Sequence, residues 1–280
     1  MKQISVQKIT ETVRRLCIEA NVLLPDDVRR ALDKAAQTEK GAIARGVLAD
    51  IIENYQRAER LEMPICQDTG TACVFVELGQ QVEIVGGLLS DAINKGVAQG
   101  YIGGYLRKSV VSDPLDRVNT KDNTPAMITY DIVEGDSLTI TVSPKGGGCE
   151  NMCRIAMLKP ADGVEGVKAF VLEAVEKAGP NPCPPIIVGV GIGGNFDKVA
   201  ALSKKALLRS IDEPNPNEYY AKLEAELLDS INALGIGPQG FGGGTTALGV
   251  NIEYAPTHIA QLPCAVNISC HVTRHKTAVL

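Results

Sequence analysis

The chain has 280 residues, 45% hydrophobic and 22% charged, with a formal net charge of -5. Aromatics make up 4% and tryptophan is absent, so there is no basic, aromatic-interleaved stripe to bind nucleic acid. No apolar run reaches the roughly 18 residues a membrane span needs, and the N-terminus MKQISVQKITETVRRLCIEA carries charges throughout instead of the apolar core of a signal peptide.

Taken in chain order, the first third reads as helical. Apolar residues recur at three- and four-residue spacing over Val6 to Ala20, Asp26 to Ala36 and Ala42 to Leu61. MPICQDTGT breaks that pattern and leads into a strand from Ala72 to Leu78. A helix is expected over Leu88 to Gln99, then the long loop GGYLRKSVVSDPLDRVNTKDNTP. Ala126 to Val133 and Ser137 to Ser143 read as two strands joined in a hairpin by Glu-Gly-Asp. After PKGGGCEN come helices near Asn151 to Leu158 and over Val164 to Ala178. Pro184 to Val190 reads as a strand, Asp197 to Arg209 and Glu218 to Leu234 as helices, and the last quarter as strands around the glycine-rich GIGPQGFGGGTTALG. With 28 glycines and 15 prolines, a Val, Ile, Leu and Ala core and no internal repeat or clear linker, the simplest expectation is one α/β (mixed α+β) domain over 1–280. Its helical N-terminal third is followed by a mixed sheet with flanking helices.

The cysteines divide by setting. In a chain expected to be cytoplasmic, the eight cysteines are thiols or metal ligands rather than disulfides. Cys17, Cys73 and Cys153 sit in sequence that suits a small buried hydrophobe. Cys66 in MPICQDTG and Cys183 in NPCPP are flanked by proline, glycine and polar residues, a loop setting from which a thiolate can reach a ligand. Chemistry alone leaves the ligand and structural readings of these two open, and either Cys264 or Cys270 could supply a third thiolate. Three thiolates around an iron–sulfur cluster leave one iron open to act as a Lewis acid.

Other patterns are weaker. Cys270 and His271 are adjacent, which excludes a two-Cys, two-His finger. A lone histidine such as His258 is ordinarily a hydrogen-bonded structural residue. GVGIGG at Gly189 to Gly194 matches the dinucleotide fingerprint and raises a nicotinamide dehydrogenase as an alternative. No second strand ending in an acidic residue follows, and the run reads as a tight strand-to-helix turn and candidate anion site. Arg107 in GGYLRK could clamp a carboxylate through a bidentate pair.

Six segments in order, MPICQDTGT, GGYLRKSVVSDPLDR, SPKGGGCEN, NPCPPIIVGVGIGG, GPQGFGGGTTALGV and NISCHVTR, closely resemble class I fumarate hydratases. More narrowly they resemble the alpha subunit of the two-subunit form, a group that includes L-tartrate dehydratase. The resemblance implies a 4Fe–4S cluster on Cys66, Cys183 and Cys270, with one iron not bound by cysteine and Cys264 in reserve. It also implies substrate contacts at Gln67, Asp68, Arg107 and the Gly147 backbone, and catalytic roles for Asp68 and His258. The implied reaction is reversible hydration of fumarate to L-malate, with tartrate dehydration as the alternative. Fused relatives continue into a second domain, so a separate beta subunit is the expected partner alongside a C4 dicarboxylate. A cluster-bearing subunit without catalysis is the remaining alternative.

Overall fold

A computed structural model describes residues 1–280. In chain order the elements are β1 Lys2–Ser5, α1 Val6–Val22, α2 Asp26–Thr38, α3 Ala42–Arg60, β2 Thr71–Gly79 and β3 Val82–Val85. Then come α4 Leu89–Gly103, β4 Met127–Val133, β5 Leu138–Lys145, α5 Gly147–Glu150, β6 Arg154–Leu158 and α6 Gly163–Ala178. The remainder are β7 Ile186–Gly194, α7 Phe196–Ala206, α8 Glu218–Ala233, β8 Ala247–Thr257, β9 Leu262–Ser269 and β10 Lys276–Val279. The mixed α/β class expected from the sequence is what forms. No helix is long and apolar enough to cross a membrane.

Contacts divide the chain into two compact units, each assembled from discontinuous segments. No single peptide joins one unit to the other, which is why composition along the chain shows no linker. The first comprises Met1–Leu24, Tyr55–Gly147 and Arg274–Leu280, and the second Pro25–Asn54 and Gly148–Thr273.

In the first unit, α1 starts where the Ser5 side chain accepts a hydrogen bond from Lys8 N, an N-cap. Its buried face, Ile9, Val13, Leu16 and Cys17, keeps helical spacing and packs with Ile93, Val97 and Tyr101 of α4. Both helices cover a four-stranded sheet of order β10-β5-β2-β4. The expected hairpin does not form. β2 lies between β4 and β5, parallel to the first and antiparallel to the second. β2 and β5 carry buried runs and take the two interior places, while β4 is largely exposed at the edge. The Glu134–Ser137 connection passes over the end of β2, where Gly79 N and Gln81 N donate to Ser137 O and Gly135 O. It spans the roughly 10 Å of two inter-strand spacings.

The second unit holds the sheet β6-β9-β7-β8. The helix expected near Asn151–Leu158 is instead the short α5 and then β6, antiparallel to β9; a five-residue apolar run fits either period. β7 is central and buried almost throughout. Ile186, Val188, Val190 and Ile192 join the core formed with Val167, Val171 and Val175 of α6 and Leu223, Leu227 and Ile231 of α8. The intervening Gly189 and Gly191 meet α7, and a Cβ there would stand 2.2 Å from Ser203 O and 2.3 Å from Val199 O respectively. GVGIGG is therefore the body of a strand, not a turn, and two of its glycines let a helix lie directly on the sheet. The α7 N-terminus, expected as an anion site, is capped by the Asn195 side chain, which accepts from Lys198 N at 3.1 Å.

Candidate active site

In the first unit, the loop between α3 and β2 carries Cys66, Gln67 and Asp68. Gly70, at φ +70°, closes it: a Cβ there would lie 2.6 Å from the Lys145 backbone, so only glycine fits. The half-buried Cys66 Sγ accepts from Asp68 N at 3.4 Å and donates to Gln67 Oε1 at 3.3 Å. Asp68 Oδ1 accepts from Gly70 N at 3.0 Å, and Oδ2 accepts from Gly147 N at 2.9 Å. Cys66, Gln67, Asp68 and Gly147 are thereby brought together. The Gly147 N–H, expected to face substrate, is here given to Asp68.

Arg107 follows α4. Its N–H donates to Thr69 Oγ1 at 2.8 Å, and the Thr69 hydroxyl returns a bond to Arg107 O at 3.2 Å. The backbone of Arg107 is thus fastened to the Cys66 loop while its guanidinium is exposed. A fixed root with a solvated fork is suited to receiving a carboxylate.

In the second unit, Cys183 precedes β7 and Cys270 follows β9. β7 and β9 are antiparallel with Ile187 opposite Ser269, so the two cysteines stand at the same end of the sheet. Cys183 adopts φ +56°, a left-handed conformation that costs a non-glycine residue about 1 kcal/mol, and its side chain is exposed. His271, next to Cys270, lies 3.0 Å by its Nδ1 from Cys183 O. The same Nδ1 lies 3.3 Å from Gln239 Nε2, so it serves as donor to the carbonyl in one tautomer and as acceptor from the amide in the other. Gln239, itself at φ +53°, donates its Nε2 to Pro184 O at 2.9 Å and completes the brace.

The glycine-rich segment beyond Gln239 is organised by Glu39, which is 7% exposed. Its carboxylate accepts from Lys40 N, Gly41 N and Gly244 N at 2.9, 3.1 and 2.9 Å, and from Thr245 Oγ1 at 3.3 Å. Burial alone would raise this carboxyl, but the Gly41, Gly244 and Lys40 amides and the Thr245 hydroxyl outweigh it and hold the pKa below the ordinary value.

Burial sorts the thiols. Cys17 is buried and its thiol is pushed up to about 12. Cys264, the reserve ligand, is 0% exposed on the core face of β9 beside Val266 and Ile268, and burial takes its thiol to about 12 also. Such a group stays protonated and apolar. Cys66, Cys183 and Cys270 lie on loops and are half-buried or exposed. Cys153, expected as a buried hydrophobe, is also a half-buried loop thiol, but its Sγ is engaged with Cys149 O and Ile268 N at 3.4 Å each. Within either unit, no three His, Cys, Asp or Glu side chains stand grouped as a ready-made metal site. The accessible loop thiols are the donors whose chemistry suits an iron–sulfur cluster.

His258 falls elsewhere. It lies one residue past β8, whose Thr257 is opposite Gly194 at the far end of β7 from Cys183. Eight residue steps at about 3.3 Å separate the two ends, roughly 25 Å. The His258 ring is exposed and accepts from Ala260 N at 3.1 Å, as a turn residue does. Four further residues have no site role assigned from the sequence. Thr69 and Glu39 act through backbone hydrogen bonds that no local pattern encodes. His271 and Arg274 sit inside NISCHVTRH, where adjacency to Cys270 was the available signal.

The chain matches the family described as Fumarate hydratase (Fumerase) over residues 10–279. It is 44% identical over 275 residues, 95% of each chain, to a Methanocaldococcus jannaschii protein provisionally named L(+)-tartrate dehydratase subunit alpha. It is 37% identical over 283 residues to the L(+)-tartrate dehydratase subunit alpha of Escherichia coli O157:H7, covering 100% of this chain and 93% of that one. The corresponding protein of Escherichia coli K12 is 36% identical over the same shares.

Proposed function

The chain belongs to the fumarate hydratase family of hydro-lyases, and from that membership we propose that it is the alpha subunit of an iron–sulfur enzyme that dehydrates a C4 hydroxydicarboxylate. The full-length similarity to chains named L(+)-tartrate dehydratase subunit alpha carries the choice of substrate. It moves L(+)-tartrate ahead of the fumarate and malate pair, which the sequence motifs alone had put first. Those same names support a separate beta subunit as the partner.

In this reading Cys66, Cys183 and Cys270 hold the cluster, and the burial of Cys264 in the core of its sheet argues for leaving it out. The cluster, when bound, supplies an open iron as Lewis acid for a hydroxyl that is otherwise a poor leaving group. The rest is the work of the chain's own residues. Arg107 receives a substrate carboxylate on its exposed fork, with its backbone held by Thr69. Asp68, clamped by the Gly70 and Gly147 amides, keeps unused lone pairs with which to accept a hydrogen bond from a substrate hydroxyl. Gln67, beside Cys66, supplies an amide for orientation. His258 is left out of this set because it stands at the other end of its sheet from Cys183 and Cys270. GVGIGG is accounted for by helix–sheet packing, so the dehydrogenase reading loses its motif.

The test is co-expression with a beta subunit under anaerobic conditions, followed by assays with L(+)-tartrate, L-malate and fumarate. Oxaloacetate formed from tartrate faster than fumarate from malate is expected. Turnover of malate alone would reverse the substrate assignment, and iron retained without turnover of any of the three would leave a non-catalytic subunit.

A further inference from the structure

Arg274, four residues after Cys270 in sequence, is 4% exposed. Its Nη2 donates to the carbonyl of Asp68 at 2.5 Å. Its own carbonyl accepts from Ser143 Oγ at 3.2 Å, which fixes the root of the side chain. Nε and Nη1 are buried and have no hydrogen-bond partner. A guanidinium remains charged at all relevant pH, and each buried unmatched donor costs about 1–3 kcal/mol. Nor does a carboxylate neutralise it, since Asp68 offers only its backbone oxygen while its carboxylate is engaged by Gly70 and Gly147. A methionine or leucine would fill this space without the desolvation penalty. Stability therefore does not explain the arginine.

Position does. Three consecutive carbonyls of the Cys66 loop are fastened from the inside. Arg274 holds Asp68 O. The Tyr101 hydroxyl lies 2.8 Å from Thr69 O and 3.1 Å from Gly70 O, and Asn123 Nδ2 donates to Gly70 O at 3.1 Å. With these carbonyls drawn inward, the orientation of Asp68 and of the Cys66 amide neighbourhood is set by the grip. We propose that Arg274 is a positioning residue of the site, holding the loop of Cys66, Gln67 and Asp68 in one orientation through the Asp68 carbonyl. This rests on the functional reading above for its consequence in catalysis, but not for the grip itself.

Two measurements separate the parts. In the full chain without metal, hydrogen exchange of the 64–70 segment is compared for wild type, Arg274→Met and Arg274→Lys, with the 186–194 strand as internal control. Arg274→Met, of similar length but with no donor, should speed exchange of 64–70 by ~10-fold or more, the loss of one hydrogen bond to a charged donor. Arg274→Lys, which keeps charge and donor, should stay within ~3-fold, and the control should not move. In the complex with the beta subunit, kcat/KM for the dicarboxylate should fall ~10-fold in Arg274→Met and recover in Arg274→Lys. If Arg274→Met does not fold, Arg274→Gln, which lacks the charge, takes its place and should lie between the two. Equal exchange in all variants, or acceleration of the control strand together with the loop, overturns the proposal. Absence of any dicarboxylate turnover in the wild-type complex overturns the functional reading, while the exchange result still decides the role of Arg274.

Discussion

Replacing Glu39 should loosen the glycine-rich segment through a single carboxylate. Four donors converge on it: three backbone amides and the Thr245 hydroxyl. Hydrogen bonds to a charged group are worth about 1.5–3 kcal/mol each, but Lys40, Gly41 and Gly244 are exposed residues, and their amides can turn to water once the carboxylate is gone. The loss for Glu39→Ala is therefore about 2–3 kcal/mol in all, a fall in Tm of roughly 5–10 °C for a unit of this size. The pH dependence is the sharper reading, and Glu39→Gln supplies it because glutamine keeps the shape without titrating. The folded-state pKa of Glu39 is lowered, so the unfolded chain binds the proton more readily. The contribution is then fully present above the ordinary carboxyl range and is lost as pH falls through the folded-state value. Differential scanning calorimetry of wild type and Glu39→Gln across neutral to acid pH should show a Tm gap that shrinks on acidification. A gap that stays constant would mean that ionisation of Glu39 contributes nothing, and the account of the segment would fail.

Cys66→Ser, Cys183→Ser and Cys270→Ser should each prevent retention of iron and acid-labile sulfide after anaerobic reconstitution, measured by metal and sulfide analysis. Cys264→Ser should retain both but lose about 1–3 kcal/mol for burying a hydroxyl without a partner; loss of iron there would restore Cys264 as a ligand. Arg107→Ala should raise KM for the dicarboxylate by ~10-fold or more with iron content unchanged, and an unaltered KM would return Arg107 to the solvated surface. Gly191→Val should destabilise by about 3 kcal/mol, because its Cβ would meet Val199 O at 2.3 Å; a chemical denaturation midpoint equal to wild type would contradict the close packing of α7 on β7.

What the sequence made legible is what acts over short distances. The periodicity of α1, α2 and α3 places those helices within a few residues of their observed bounds, because each buries one stripe of side chains against a core. β7 was legible as a strand but not as to length, since its glycines look like a turn until α7 is seen lying on them. The error at β4 and β5 has the same origin. A Glu-Gly-Asp turn is the local signature of a hairpin, and nothing local announces that the more apolar β2, some fifty residues earlier, will take the place between them.

The candidate site divides along the same line. Cys66, Gln67 and Asp68 share one loop and could be read as a group; that the Gly147 amide answers Asp68 and the Thr69 hydroxyl answers Arg107 could not, because these bonds join positions 79 and 38 residues apart. Cys264 and Cys270 differ by six positions and have the same side chain, yet one is interior to β9 and the other lies beyond its end. Only the register of β9 on β7 separates a thiol that the core holds protonated from one that a metal can reach. Arg274 shows the limit most plainly: in sequence it is one more basic residue near the C-terminus, and its value comes entirely from a backbone carbonyl 206 residues away. Residues that touch a substrate can be suspected from their chemistry, whereas residues that aim them are visible only once the fold shows what they hold.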